Sequence, residues 1–117
     1  MFFIFLRIDA QIHYKAVIGY NIRLPHRAMG VVVSPKAKIG NNITIYHQVT
    51  IGVKEGIPKD LQRIIVKDNC YISAGAKIIS CVVSEGSKIG PNAVVYKDIP
   101  PCSIVVSLNE IKVSKKE

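Results

Sequence analysis

Val33-Ser-Pro-Lys-Ala37, Ile39-Gly-Asn-Asn-Ile43 and Ile45-Tyr-His-Gln-Val49 repeat one pattern every six residues. An aliphatic residue opens each unit, and a small or apolar residue follows four places later. This period matches neither the 3.6-residue turn of a helix nor the simple alternation of a flat strand. It predicts that one short strand and one tight corner are repeated along the chain, which is the pattern of a solenoid.

The same rhythm continues on both sides of this stretch. Three repeats would close one triangular turn of about 18 residues, with the aliphatic side chains stacked inside. We therefore predict an all-β fold, a single-stranded parallel β-helix of about five coils over residues 12–106. One domain would span residues 1–117 and end in a short C-terminal tail. The further repeats are Ile12-His-Tyr-Lys-Ala16, Ile18-Gly-Tyr-Asn-Ile22, Val66-Lys-Asp-Asn-Cys70, Ile72-Ser-Ala-Gly-Ala76, Val83-Ser-Glu-Gly-Ser87, Ile89-Gly-Pro-Asn-Ala93 and Val95-Tyr-Lys-Asp-Ile99.

The rhythm breaks in two places. The segment 24–30 holds three residues too many, and the rhythm is lost again from Gly52 to Arg63. The second interruption is polar and contains Gly and Pro, so we predict a protruding loop over residues 52–64. Insertions in repeat proteins concentrate at binding faces, and both interruptions are therefore candidate sites.

Composition limits the function classes. The chain has 117 residues and a net charge of +8. Its lysines are spread over the coils without interleaved aromatic residues, which argues against a nucleic-acid surface. The charge fits either a solvated basic surface or attraction of a phosphorylated ligand. The apolar run from Phe2 to Leu6 is too short to span a bilayer and lacks the features of a signal peptide. We expect a buried edge strand or a subunit contact there, and no membrane partner.

The three cysteines, Cys70, Cys81 and Cys102, are odd in number and lack the paired spacing of a zinc site. We expect free thiols in a reducing, cytoplasmic compartment and no bound metal. Cys70 falls at a small, inward-facing place in its repeat, where cysteine acts as a compact apolar residue.

Several segments resemble the hexapeptide-repeat acyltransferases, and among these the serine O-acetyltransferases most of all. The resemblance covers residues 12–106. It implies left-handed winding, acetyl-coenzyme A as donor, a place in cysteine biosynthesis, and a homotrimer with active sites between neighbouring subunits. The segments that carry it include Leu24-Pro-His26, Gly30-Val-Val-Val33, Val49-Thr-Ile-Gly52, Ser73-Ala-Gly-Ala-Lys-Ile-Ile79 and Ile89-Gly-Pro-Asn-Ala-Val-Val95.

His26 matches the catalytic histidine of that family. Acetyl transfer to an alcohol needs a base, and a neutral imidazole can accept the hydroxyl proton as the oxygen attacks the thioester. An isolated histidine on a solenoid is usually structural or merely exposed, but the Leu24-Pro-His26 context and the interrupted rhythm favour catalysis. His47 stands where many relatives have Gln and either lines the cleft or lies on the surface. His13 is interpreted as structural.

Several positions depart from the family pattern. Gln11 replaces the acidic residue that orients the imidazole, although its amide oxygen can still accept from the ring N–H, and Asp9 is a possible substitute. Arg63 replaces a second histidine associated with the acceptor. Arg can hold a carboxylate with two hydrogen bonds, so we predict that Arg63, together with Pro25, binds the acceptor. Pro35 replaces a further acidic residue, which weakens free serine as the substrate.

A pantetheine arm needs a narrow groove, and small residues leave one. The positions that match the family's cofactor contacts are Ala74, Gly75, Ala76, Asn92 and Ala93. Lys77 and Lys97 are predicted to meet the nucleotide phosphates as point charges. Small residues at Ala76 and Ala93 are also what a tight corner requires.

The first hypothesis is therefore an O-acetyltransferase that uses acetyl-coenzyme A, with serine or a sugar hydroxyl as the acceptor. The second is a catalytically decayed trimeric scaffold, because the aligned acid and the second histidine are replaced. A carbonic anhydrase of the hexapeptide type would need three metal-binding histidines, and the three histidines of this sequence do not have that spacing.

Overall fold

The computed structural model describes residues 10–114, and in that range the chain forms 14 short strands in three parallel sheets. Sheet A holds β1 (Gln11–Ile12), β4 (Val32–Val33), β7 (Thr50–Gly52), β10 (Lys77–Ile79) and β13 (Val94–Val95). Sheet B holds β2 (Val17–Ile18), β5 (Ala37–Ile39), β8 (Ile64–Val66) and β11 (Val82–Val83). Sheet C holds β3 (Ile22–Arg23), β6 (Ile43–Ile45), β9 (Tyr71–Ile72), β12 (Lys88–Ile89) and β14 (Ile104–Val105).

The chain visits sheets A, B and C in turn, which makes a three-sided parallel β-helix of five coils. Each strand pairs with the equivalent strand one coil away, so that Ile51 lies between Val33 and Ile78 in sheet A. In the fifth coil a single bridge between Val83 and Ile99 takes the place of a strand in sheet B. The predicted parallel β-helix of about five coils is confirmed.

The core consists of side chains that alternate inward and outward along each strand. In β5, Ala37 and Ile39 are 1% and 4% exposed, whereas Lys38 between them is exposed. Equivalent residues stack from coil to coil and exclude water from the interior, and such burial is worth about 1.5–3 kcal/mol for each large aliphatic side chain. Cys70 and Cys81 also face the core and are free thiols, as is the exposed Cys102.

The corners form three edges that run along the helix axis. The A–B edge comprises residues 13–16, 34–36, 53–63, 80–81 and 96–98. The B–C edge comprises residues 19–21, 40–42, 67–70, 84–87 and 100–103. The C–A edge comprises residues 24–31, 46–49, 73–76 and 90–93. Sharp corners require left-handed backbone, which Asn and Gly adopt most readily, and Asn42 (φ 59°) and Gly75 (φ +73°) supply it.

The two interruptions of the rhythm lie on different edges. Residues Pro25–Ala28 form a 3-10 turn on the C–A edge. Residues 53–63 leave the A–B edge between β7 and β8, and Lys59–Leu61 form a second 3-10 turn within them. The apolar run from Phe2 to Leu6 and the alternative partner Asp9 lie outside the described residues. Neither of the two short turns approaches the length or apolarity that a helix needs to cross a membrane.

Candidate active site on the C–A edge

The C–A edge gathers most of the predicted site residues. His26 lies in the first coil, His47 in the second, Ala74 and Gly75 in the third, and Asn92 in the fourth. Backbone hydrogen bonds join these corners from coil to coil, including Gly75 N–H to the His47 carbonyl (3.1 Å) and Asn92 N–H to the Ala74 carbonyl (2.9 Å). Because coils rise by about 4.8 Å each, the edge forms a continuous track upward from His26.

The segment that carries His26 has an unusual backbone. His26, Arg27 and Ala28 all have left-handed φ values, of 58°, 57° and 56°. Outside glycine this conformation costs roughly 1–2 kcal/mol per residue, and such strain concentrates at functional sites. Ala28 is buried and fixes the turn against the core, while the His26 side chain remains exposed to solvent.

Two rings contact His26, and a third packs against one of them. The His47 ring meets it edge to face, with centroids 4.7 Å apart and an interplanar angle of 74°. The Tyr46 ring lies 6.1 Å from His26 and 5.4 Å from Tyr71. A hydrogen bond between the two phenols is the main reason that the pKa of Tyr71 is raised above its usual value, with a smaller effect of burial. We call these four rings, those of His26, Tyr46, His47 and Tyr71, the aromatic cluster.

One atom of the cluster is buried without a partner. Nδ1 of His47 is shielded from solvent and has no hydrogen bond within residues 10–114. Leaving a buried polar atom unpaired costs about 1–3 kcal/mol. Native structures contain few such atoms, and each one calls for an explanation.

Gln11 lies on β1, on the outer face of sheet A in the first coil. Its backbone N–H donates to the Val31 carbonyl (2.8 Å), and it lines a shallow groove with His13 and Pro35. Within residues 10–114 the His26 ring contacts the rings of Tyr46 and His47, and no hydrogen bond joins it to Gln11. The orienting role of Gln11 stays a prediction. Pro25 directly precedes His26 in the same turn and is half-buried.

Small residues occur above His26 where a narrow ligand would lie. A Cβ atom on Gly75 would collide with Oδ1 of Asn92, so these two residues pack tightly and leave little side-chain bulk on the edge. Ala76 and Ala93 instead face the core, with exposures of 0% and 2%. Their side chains are therefore not available to a ligand. The six-residue spacing alone cannot distinguish a small residue that fills a tight corner from one that contacts a cofactor.

The two predicted phosphate-binding lysines lie on different parts of the prism. Lys77 is on the outer face of β10, and its ammonium donates to the Gly75 carbonyl (2.9 Å), which holds it beside the C–A edge. Lys97 is on the A–B edge, where its ammonium lies 5.6 Å from the centroid of the Tyr96 ring. A single copy of the chain therefore does not bring Lys97 to the track above His26.

Arg63 also lies on the A–B edge, at the end of the loop. It lines a groove of about 310 Å³ with Lys54, Leu61, Tyr96 and Asp98. The loop is held in place by Gln62, whose side chain donates to the Ile57 carbonyl (2.9 Å) and accepts from the Lys36 ammonium (2.8 Å). Arg63 and His26 thus occupy different edges of one chain.

Sequence reasoning missed the aromatic cluster as a unit. The sequence alone does not single out Tyr71, and it is compatible with His47 either in the cleft or on the surface. The signal was available, because residues 46 and 47 follow β6 as residues 24–30 follow β3, so the repeat places both on one edge. Tyr71 pairs with Thr44 on the neighbouring coil, which brings it beside Tyr46.

Within residues 10–114 no group of three His, Cys, Asp or Glu side chains is arranged to hold a metal ion. Burial raises the pKa of the Cys81 thiol to about 11 and also raises that of Cys70. Neither thiol is therefore activated as a nucleophile. The C–A edge, in contrast, presents the exposed side chain of His26.

The sequence is similar to curated serine acetyltransferases. It is 42% identical over 99 residues to the enzyme of Mycobacterium tuberculosis, covering 84% of this chain and 42% of that protein. It is 41% identical over 99 residues to the enzyme of Bacillus subtilis, covering 84% of this chain and 45% of that protein. The chain thus spans less than half the length of these two relatives. No protein-family model matches the sequence.

Solved structures agree with the sequence comparison. The chain superimposes on Neisseria gonorrhoeae serine acetyltransferase in complex with serine with a TM-score of 0.77 and 37% identity, over 86% of this chain and 40% of that one. It superimposes on soybean serine acetyltransferase complexed with serine with a TM-score of 0.74 and 38% identity, over 88% of this chain and 41% of that one. Those enzymes have a left-handed β-helix, which confirms the predicted fold class. The chain is therefore a hexapeptide-repeat protein that is similar to the serine O-acetyltransferases over this part of their length.

Proposed function

We propose that this chain is an O-acetyltransferase that moves the acetyl group of acetyl-coenzyme A to a hydroxyl acceptor, with His26 as the general base. The observation that carries the proposal is the C–A edge, where an exposed imidazole stands at the foot of a track of small residues. The base therefore lies at one end of a narrow groove that follows the C–A edge.

The chemistry follows from what His26 can do at that position. Its neutral ring accepts the hydroxyl proton while the acceptor oxygen attacks the thioester carbonyl. When the tetrahedral intermediate collapses, the carbon–sulfur bond breaks and the imidazolium returns the proton to the departing thiolate. The products are the acetyl ester and free coenzyme A, and the base is regenerated without any other reactant.

The donor would lie along the C–A edge. The coil spacing sets about 14 Å between the corner of His26 and that of Asn92, a length suited to an extended pantetheine arm. Gly75 and Ala74 leave the track open, and Lys77 stands beside it with its ammonium already positioned for an anionic group. We assign the phosphates of the donor to this upper end.

A complete site would need two copies of the chain. Arg63 and Lys97 lie on the A–B edge and His26 on the C–A edge, so that a homotrimer with neighbours packed edge to edge would bring them to one cleft. Exposed apolar side chains on the outer face of sheet A, Val32 (39%) and Val94 (50%), would lose solvent contact in such packing. This trimer is part of the proposal.

Two solved relatives carry serine in their crystals, which supports a small hydroxyl-bearing acceptor for this chain. Arg63 favours an acceptor that also bears a carboxylate, since a guanidinium binds that group with two parallel hydrogen bonds. A sugar hydroxyl is the alternative, because Gln11 and Pro35 replace acidic residues of the serine enzymes. Both acceptors use the same base and the same donor.

The test measures free thiol released from acetyl-coenzyme A by the purified protein, with L-serine and a panel of sugars as acceptors. Turnover with one acceptor, lost in His26→Asn and retained in His13→Asn, is the expected result. Release that survives in His26→Asn would contradict the role of His26. Equal release without any acceptor would indicate hydrolysis instead of transfer.

A second candidate function is a trimeric scaffold without turnover. It is favoured by Gln11, which cannot stabilise an imidazolium by charge as an acid would. In a Ser-His-Asp triad the comparable change lowers turnover about 10⁴-fold. Calorimetry with coenzyme A separates the two candidates, because a decayed groove gives no binding heat whereas the enzyme binds its product.

A further inference from the structure

His47 has three properties that the proposed base does not explain. Its ring stands edge to face against His26 with centroids 4.7 Å apart. Its Nδ1 is buried without a hydrogen-bond partner within residues 10–114. The residue as a whole is nevertheless partly exposed.

The burial of Nδ1 selects one tautomer of the neutral ring. A neutral imidazole carries its proton on either Nδ1 or Nε2, and the other nitrogen is an acceptor. A proton on Nδ1 would be an orphaned donor, and buried unpaired N–H groups are rarer than buried unpaired acceptors. The burial of Nδ1 therefore favours the tautomer of neutral His47 that carries its proton on Nε2.

We infer that the Nε2–H of His47 is a hydrogen-bond donor to the thioester oxygen, and that His47 stabilises the oxyanion of the tetrahedral intermediate. This inference rests on the proposed acetyl transfer. Oxyanion donors work when they are fixed in place before the reaction and stand about 2.7–3.1 Å from the developing charge. The surrounding rings of His26 and Tyr46 fix the His47 ring, so its donor needs no reorganisation during the reaction.

The arrangement divides the chemistry between two adjacent histidines on successive coils. His26 acts on the acceptor hydroxyl, and His47 acts on the carbonyl that the hydroxyl attacks. The attacking oxygen and the carbonyl carbon stand about 3–3.5 Å apart before the bond forms. The side chain that acts on the hydroxyl and the side chain that acts on the carbonyl must therefore be neighbours. Two rings whose centroids are 4.7 Å apart satisfy that requirement.

A glutamine at position 47 offers a way to test the role by rescue. Its side-chain amide is also a donor, whereas leucine has similar bulk and no donor. We expect His47→Leu to lower kcat about 10²–10³-fold, the loss seen when one oxyanion donor is removed. The KM for acetyl-coenzyme A should stay the same, because the interaction forms only in the transition state. His47→Gln should restore most of kcat, and His13→Leu is the matched control.

Two readouts separate this role from others. The pH profile of kcat/KM should keep its shape in His47→Gln, because the base is still His26, whereas a proton relay through His47 would change the profile. Nitrogen NMR of the unliganded protein should show the neutral His47 ring protonated at Nε2. A ring protonated at Nδ1 overturns the inference whatever the activity.

The outcomes also separate this inference from the proposed function. If the wild-type protein shows no turnover with any acceptor, both fail together. If the wild-type protein turns over and His47→Leu matches it, the inference alone fails. If His47→Leu and His47→Gln lose activity equally, a donor at position 47 is not what the reaction needs, and the inference is overturned.

Discussion

The C–A and B–C edges are built by the same repeat from the same kind of corner, yet they differ in how their polar groups are used. On the B–C edge, Asn21 donates from its side chain to Asn42 (2.6 Å), and Asp68 accepts from the Asn41 N–H (2.8 Å). On the C–A edge, Nδ1 of His47 is buried and has no partner among residues 10–114, and His26 stands in a strained turn.

The difference shows how a repeated scaffold acquires a site. On the B–C edge, the hydrogen bonds to the side chains of Asn42 and Asp68 tie neighbouring coils together, so this edge contributes stability. The C–A edge instead retains strain and an unpaired atom, both of which cost stability and persist where function requires them. Substitutions on the two edges should therefore separate activity from folding.

The largest effect is expected from His26→Asn on the C–A edge. Removal of a general base lowers turnover about 10²–10⁴-fold, and asparagine tolerates the left-handed backbone at least as well as histidine. Turnover should therefore collapse while the midpoint of urea unfolding stays the same or rises. A fall in both quantities would show that His26 is structural.

A matched pair of glycines compares the two edges directly. Gly75 on the C–A edge and Gly86 on the B–C edge have φ values of +73° and +74°, so alanine at either position should cost about 1–2 kcal/mol of stability. Gly75→Ala should in addition raise the KM for acetyl-coenzyme A about tenfold, or 1.4 kcal/mol, because its Cβ displaces Asn92. Equal KM values for the two variants would contradict the placement of the donor.

The hydrogen bond between the side chains of Asn21 and Asn42 on the B–C edge is tested by Asn42→Ala. The change removes the acceptor for the Asn21 side chain and places alanine at φ 59°, for a combined cost of about 1–3 kcal/mol. Denaturant unfolding should show this loss, and kcat measured well below the transition should be unchanged. A loss of kcat without a loss of stability would mean that the B–C edge takes part in catalysis.

The smallest effect is a decline of stability in alkali. Desolvation raises the pKa of Cys81 in the folded chain from 9.0 to about 11. The contribution of this thiol is therefore fully present below about pH 9 and is lost as the pH rises towards 11. Urea unfolding at pH 8 and at pH 10 should show the decline, and Cys81→Ala should reduce it. An unchanged slope in the variant would assign the decline to other groups.

The six-residue period predicts the three-sided parallel coils, whereas the left-handed winding is implied only by the family resemblance. Ile39, Ile45 and Ile51 each open a repeat, and each lies in the core where the period places it. The break at residues 24–30 also marks the segment of His26, where the candidate site lies.

Side-chain arrangement was less accessible from the sequence. Whether Ala76 binds a ligand or fills a corner depends on which way its Cβ points, and the repeat pattern fits both. The contact between His26 and His47 arises from two corners on different coils, one of them lengthened by an insertion. The edge on which Arg63 lies follows from counting strands, but the proposed meeting of Arg63 with His26 needs a second copy of the chain.

The central claim is that the C–A edge of one copy and the A–B edge of another form one site. Mixing His26→Asn with Arg63→Ala, each inactive alone, tests it most directly after the mixture is denatured and refolded together. In randomly assembled oligomers, a site is active when one copy supplies an intact His26 and its neighbour supplies an intact Arg63. Each condition is met about half of the time, so about a quarter of wild-type turnover should return. No recovery, although the two variants are found in one oligomer, would contradict a shared site.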